Sequence, residues 1–144
     1  MYLDSAIIVK LLVREPDSDF FEEALDGELL STSELSLAEV ASALLSKERQ
    51  KLISKTNRRS SLALFDQWIA IGQLRILTID QKIYNQARRT LEICHPTIGL
   101  RSLDAIHISA CEHFLTFPLC ATDGRIRAAA KKLHIPIFPE TLPT

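Results

Sequence analysis

Glycine is scarce in this chain: four residues in 144, at Gly27, Gly72, Gly99 and Gly124. No two stand close enough to form a G-x-G-x-x-G turn or a Walker-type loop, which argues against a nucleotide-cradling fold. An excess of one charge is also missing. Seventeen Lys plus Arg face eighteen Asp plus Glu, for a net charge of −1, so no global basic field exists and any nucleic-acid contact must come from a local patch. The cysteines Cys94, Cys111 and Cys120 are odd in number, which speaks for reduced thiols in a reducing compartment. Long apolar runs are absent too. The first, Ala6 to Val13, is broken by Lys10, and Asp4 stands where a signal peptide needs positive charge, so the expectation is a cytoplasmic protein without a membrane span. Fixed-period repeats, low-complexity tracts and Ser/Gly linkers are lacking as well, and one domain over residues 1–144 is expected.

What is present is an ordinary soluble composition, 47% hydrophobic and 24% charged, arranged in alternating strand and helix patterns. A very short strand ending at Leu3 precedes an apolar helix over Ala6 to Val13. An acidic stretch from Glu15 to Glu28, expected as a solvated helix and turn, leads to a strand at Leu29 to Thr32. Ser36-Leu37-Ala38-Glu39 has the form of a capping box and opens a helix to about Leu52. Arg58 to Ile71 carries apolar residues at helical spacing and stops at Gly72, and Leu74 to Ile79 alternates as a strand. Helices follow over Tyr84 to Ile93 and Ser102 to Phe114, the first ended by the step before Pro96. Pro118 to Thr122 reads as a strand, Arg125 to Leu133 as a helix, and Ile135 to Phe138 as a last strand. Such alternation implies crossover connections and therefore an α/β fold, a central parallel sheet with helices on both faces. In that architecture the functional crevice lies at the carboxyl ends of the strands.

Four carboxylates fall where such a crevice would be. Asp4 follows the first strand and Asp123 the fourth, while Glu39 and Asp104 stand in first turns of helices. Each has a local use: Asp4 and Asp123 as helix caps, Glu39 as the reciprocal half of the Ser36 box, Asp104 against its helix N-terminus. The surroundings point further. Glu39 lies between Ala38 and Val40, and Asp104 between Leu103 and Ala105, in helices apolar enough to bury much of their length. Buried carboxylates need a compensating cation or strong hydrogen bonds. With oxygen-only donors, a hard divalent ion such as Mg²⁺ or Mn²⁺ is the economical partner.

Four segments, Y-L-D-S-A-I-I-V-K-L from Tyr2, S-L-A-E-V-A-S-A-L from Ser36, L-R-S-L-D-A-I-H-I-S around Asp104, and D-G-R-I-R-A-A-A from Asp123, occur in this order. Together they resemble the PIN-domain ribonucleases, and within them the VapC-type toxins of prokaryotic toxin–antitoxin pairs. The resemblance spans most of the chain. It implies a single PIN-like domain and a Mg²⁺-dependent endoribonuclease in which Asp4, Glu39, Asp104 and Asp123 are the catalytic, metal-holding carboxylates, with Mn²⁺ as a substitute. Ser5 takes the place of the family's Ser or Thr beside the first Asp. The family commonly carries a hydroxyl two places before the last Asp; this chain has Ala121 there and Thr122 one place later. The resemblance further implies an RNA substrate cut by a metal-activated water, a cognate antitoxin and a homodimer.

Local positive charge gathers in Lys47, Arg49, Lys51, Lys55, Arg58 and Arg59, six basic residues around the single acid Glu48. The run suits either an RNA backbone or a solvated helix end. Arg101, one turn before Asp104, and Arg125, beside Gly124, are further candidate RNA contacts. His107 and Cys111 are four apart on a helix, but no second pair has zinc-site spacing, so both are assigned to core packing. Leu62 to Phe65 and Trp68 serve either a core or an exposed interface. Two other readings are weighed. A metal-dependent phosphatase would use Asp4 as nucleophile, but Ala6 occupies the third place of the D-x-D pattern. A non-catalytic PIN-like interaction module would keep the fold with its carboxylates as caps.

Overall fold

Two residues, Tyr2–Leu3, form β1, yet this strand occupies the centre of a five-stranded sheet. The structure, a computed structural model, describes residues 1–143. From β1 the chain passes through α1 (Ser5–Leu12) and α2 (Ser18–Leu25) to β2 (Leu30–Ser33), then through α3 (Leu35–Arg49) and α4 (Lys55–Ala70) to β3 (Leu74–Leu77). It returns through α5 (Gln81–Cys94) and α6 (Ser102–His113) to β4 (Leu119–Cys120), and ends with α7 (Gly124–Lys132) and β5 (Ile137–Phe138). The strand order is β3-β2-β1-β4-β5, and every pairing is parallel. The sheet therefore grows outward from β1 in one direction, reverses, and grows from β4 in the other.

That reversal sorts the helices. Successive residues of a strand point to opposite faces, and Tyr2 and Leu119 belong to one apolar core while Leu3 and Cys120 belong to the other. The first core packs α5, α6 and α7 through Ile83, Ala87, Ile108 and Ile126; the second packs α1 to α4 through Ile7, Phe21, Val40, Leu44 and Phe65. Helices cover both faces, as the alternation of patterns implies. Full burial of each of the larger of these side chains contributes about 1.5–3 kcal/mol by transfer from water.

Element ends differ from the sequence expectation for identifiable reasons. Asp80 accepts from the amides of Lys82 and Ile83, so the chain leaves the sheet after Leu77 and α5 starts three residues before Tyr84. Ser54 accepts from Asn57 N at 3.0 Å and starts α4 at Lys55. The helix expected to run to Leu52 stops at Arg49 because Lys51 turns left-handed at φ 61°, whereas Gly72, at φ 76°, closes the α4 end as its sequence position implies. The capping box is absent. The helix begins at Leu35, and Ser36 turns inward with its Oγ 2.6 Å from Thr32 Oγ1.

Neighbouring residues on α4 separate core from surface: Phe65 is 1% exposed and Leu64 38%. Phe65→Ala should lower the unfolding free energy by roughly 3–5 kcal/mol, through lost transfer energy and the cavity left behind. Leu64→Ala should cost under about 1 kcal/mol. Urea denaturation of both variants checks the difference.

Candidate active site

The sheet reverses its order between β1 and β4, and the chain leaves both strands beside one crevice. Asp4 follows β1 directly and caps α1, its Oδ1 accepting from Ile7 N at 2.9 Å. Asp123 follows β4 after two residues and caps α7, its Oδ1 accepting from Arg125 N at 2.8 Å and Ile126 N at 3.2 Å. The capping use is thus real at both positions, and it aims both carboxylates at the same place. Asp4, Ser5, Glu39, Asp104, Thr122 and Asp123 all line one cleft of about 450 Å³, with Arg101 and His107 in its walls. All four acids and both flanking hydroxyl residues singled out in the sequence meet there.

Asp104 is different. It sits in the first turn of α6, and its Oδ2 is buried with no hydrogen-bond partner among the described residues. A carboxylate oxygen in that state is costly unless something outside the protein completes it. Burial raises the Asp104 pKa, the neighbouring Asp123 charge raises it further, and Arg101 pulls the other way. Asp4, only 3% exposed, is pushed up to about 6, chiefly by burial, against the stabilising Ile7 amide and His107. At Glu39 burial also disfavours the charge, but the hydrogen bond and charge of His107 and the bond from Ser5 outweigh it, and its pKa is lowered.

Glu39 is held from two sides. Ser5 Oγ donates to its Oε2, and His107 Nε2 lies 2.6 Å from the same oxygen. Ser5 Oγ is also 3.0 Å from Ser36 Oγ, so the serine expected to cap α3 instead packs under the site. On its other side His107 Nδ1 lies 2.7 Å from Tyr2 Oη. The assignment of His107 to mere core packing is therefore corrected: it is buried, but as the bridge between β1 and a cleft carboxylate. Its spacing from Asp104, one helical turn, was the available signal. Cys111 does sit in the core.

The cations divide. Lys10 lines the cleft and binds Glu15 at 2.7 Å and Asp17 at 2.9 Å, while Lys47 binds the other oxygen of Glu15 at 2.7 Å. Arg58 is tied to Glu48. Of the basic run, Arg49, Lys51, Lys55 and Arg59 are exposed, as are Arg101 and Arg125. Phe65 belongs to the core, and Trp68 packs partly against it.

The donor set suits a hard divalent cation: carboxylate oxygens with hydroxyl neighbours, one oxygen orphaned, and two acids carrying raised pKa values that a cation would relieve. Among the described residues, no three His, Cys, Asp or Glu side chains are gathered tightly enough to cage an ion as they stand. The acids surround a common space instead of closing on one point.

The family model for the PIN domain matches residues 1–135. Ribonuclease VapC46 of Mycobacterium tuberculosis is 35% identical over 141 residues, covering 96% of this chain and 95% of that protein. The structure of VapC20 from the same organism, a toxin that cleaves the sarcin–ricin loop, superposes with a TM-score of 0.69 at 15% identity, covering 89% of this chain and 93% of that one. VapBC2 from Rickettsia felis, crystallised on a DNA fragment from its promoter, gives 0.65 at 18% identity, covering 94% and 95%. At these identities the two structures speak to the fold alone.

The raised Asp4 pKa has a sign that can be measured. Folding penalises the Asp4 charge, so the penalty is absent below the ordinary carboxylate pKa near 4 and complete above about 6. Asp4→Asn keeps the Oδ1 cap and removes the charge. In the presence of a chelator it should therefore melt roughly 6–12 °C above the wild type at about pH 8, and the gap should close toward about pH 4. Thermal melts across that range check it.

Proposed function

The chain belongs to the PIN-domain family and, within it, to the VapC group, and from that premise we propose that it is a divalent-metal-dependent endoribonuclease, the toxin of a toxin–antitoxin pair. The observation that carries the reading is the Oδ2 of Asp104, buried and without a partner among the described residues, in a cleft also lined by Asp4, Glu39 and Asp123. Asp4, Glu39, Asp104 and Asp123 would hold the cation, Mg²⁺ with Mn²⁺ as substitute. When bound, the cation supplies Lewis-acid chemistry, activating water for in-line attack on phosphorus and neutralising charge on the departing oxygen.

The chain's own residues do the rest. The helix caps fix Asp4 and Asp123 by one oxygen each, so neither carboxylate must be ordered when substrate arrives. Ser5 and His107 do the same for Glu39. Thr122 contributes a hydroxyl at the cleft wall. Arg101 gives a cation for a phosphate beside the carboxylates, and Arg125, exposed in the first turn of α7, extends that side. Arg49, Lys51 and Lys55 are free enough to follow an RNA backbone, whereas the Lys47 ammonium is committed to Glu15. No residue is required as a covalent nucleophile.

An antitoxin and a second copy of the chain are the partners this reading implies. Exposed Leu64 on α4 and Leu37 and Leu103 near the cleft offer apolar area for such contacts. No described helix is long and apolar enough to cross a membrane. With three free, buried cysteines, the cytoplasm is the compartment proposed.

Two experiments test this reading. Asp104→Asn should lower Mg²⁺-dependent cleavage of RNA by roughly 100-fold or more, because several kcal/mol of transition-state charge stabilisation pass through the site, while circular dichroism stays native. Undiminished cleavage would contradict the assignment. Lys51→Gln with Lys55→Gln should weaken RNA binding about equally for all sequences and flatten the logarithmic salt slope by about 1.4, the change expected when two cations no longer neutralise single-strand phosphates. Filter binding across salt concentrations reads this, and an unchanged slope would remove the run from the RNA path.

A further inference from the structure

Glu39 differs from Asp4 and Asp123 in what holds it. Those two accept from the amides of their own helices; Glu39 is held by side chains from α1 and α6, and both contacts fall on one oxygen, Oε2. A carboxylate only accepts hydrogen bonds, so the His107 nitrogen 2.6 Å away, Nε2, must carry a proton. In a neutral imidazole the other nitrogen is then an acceptor. That nitrogen, Nδ1, lies 2.7 Å from Tyr2 Oη, which donates to it, with Ser33 Oγ at a longer 3.5 Å. In the neutral ring the direction of the chain follows, with Tyr2 donating to His107 and His107 donating to Glu39; the second bond keeps that direction when the ring is charged.

The chain is also mechanically closed. Tyr2 is 0% and His107 2% exposed, and the two rings meet edge to face with centroids 5.8 Å apart. Tyr2 comes from the central strand, His107 from α6 and Ser5 from α1, so three elements besides Glu39's own α3 fix one carboxylate oxygen. An imidazole whose only purpose was to fill the core would not need a donor on one nitrogen and an acid on the other. A residue with an apolar side chain would fill the same space without desolvating two polar atoms.

We propose that His107, oriented by Tyr2, is a positioning residue that pins Glu39 through Oε2 and thereby presents Oε1 to the divalent cation. This rests on the metal reading above. Partners of this kind, lying behind a ligand, set its orientation, and their loss commonly lowers metal affinity by about 10–100-fold.

The test uses the full chain and Mn²⁺ alone, titrated by calorimetry and by the electron paramagnetic resonance of the free ion. His107→Leu should weaken Mn²⁺ binding by about 10–100-fold. His107→Gln, whose amide nitrogen can reach the place of Nε2, should restore most of it, and Tyr2→Phe should fall between. In ¹⁵N spectra of the metal-free wild type with the ring in its neutral form, the ring proton should sit on Nε2, and the Nδ1 signal should move when Tyr2→Phe removes the phenol. Should His107→Leu fail to fold, Tyr2→Phe and the wild-type spectrum decide the question. A proton on Nδ1, or Mn²⁺ affinity that Tyr2→Phe and His107→Leu leave unchanged, overturns the proposal while leaving the metal reading intact. A wild type that binds no Mn²⁺ overturns both.

Discussion

Negative charges confined to one crevice repel one another and lose hydration, and this molecule is organised around that cost. The parallel sheet reverses its order between β1 and β4, and that topology delivers Asp4 and Asp123 to the same edge. α3 and α6 then add Glu39 and Asp104 from opposite faces of the sheet. The acids respond in different directions. Burial pushes Asp4 and Asp104 up, and specific donors hold Glu39 down. A set of carboxylates whose proton affinities are pushed apart in this way fits the proposed cation site.

Local hydrogen bonds offset part of the cost and also decide orientation. The same cap that starts α1 holds Asp4, and the same cap that starts α7 holds Asp123. Folding and site geometry are therefore one event at these positions. Glu39 has no such local support and depends on Ser5, His107 and, behind them, Tyr2 and Ser36. Around the rim, Lys10, Glu15, Asp17 and Lys47 tie α1, the segment before α2 and α3 together. Of the basic residues near the cleft and in the basic run, Arg101, Arg125, Arg49, Lys51, Lys55 and Arg59 stay exposed.

The legible part of the site was the part set by local chain geometry. Asp4 and Asp123 could be placed because each comes directly after an apolar strand pattern in the sequence, and parallel pairing brings such positions together. Gly72 could be read as a helix stop for the same local reason. Ser36 and Glu39 match a capping box in spacing, yet neither uses it: Ser36 meets Thr32 and Ser5, and the His107 partner of Glu39 is 68 residues away. His107 reads as core filling because its two neighbours, Tyr2 and Glu39, are brought to it only by the folded sheet. Lys47 belongs to a basic run in the sequence, but Glu15, 32 residues earlier, neutralises it in the fold. The short strands follow the same rule, since β1 and β4 need only two residues each to set the crevice, and the caps at Asp4 and Asp123 take the chain out of the sheet.

The central claim is that the four carboxylates surround a divalent-cation position. Its most direct measurement is anomalous diffraction from crystals of the full chain soaked in Mn²⁺. The account predicts a single region of anomalous density within ligand distance of Asp4, Glu39, Asp104 or Asp123, reaching the Oδ2 of Asp104. Clear density for the protein with no anomalous signal in that cleft, or a manganese signal only elsewhere on the molecule, would contradict it.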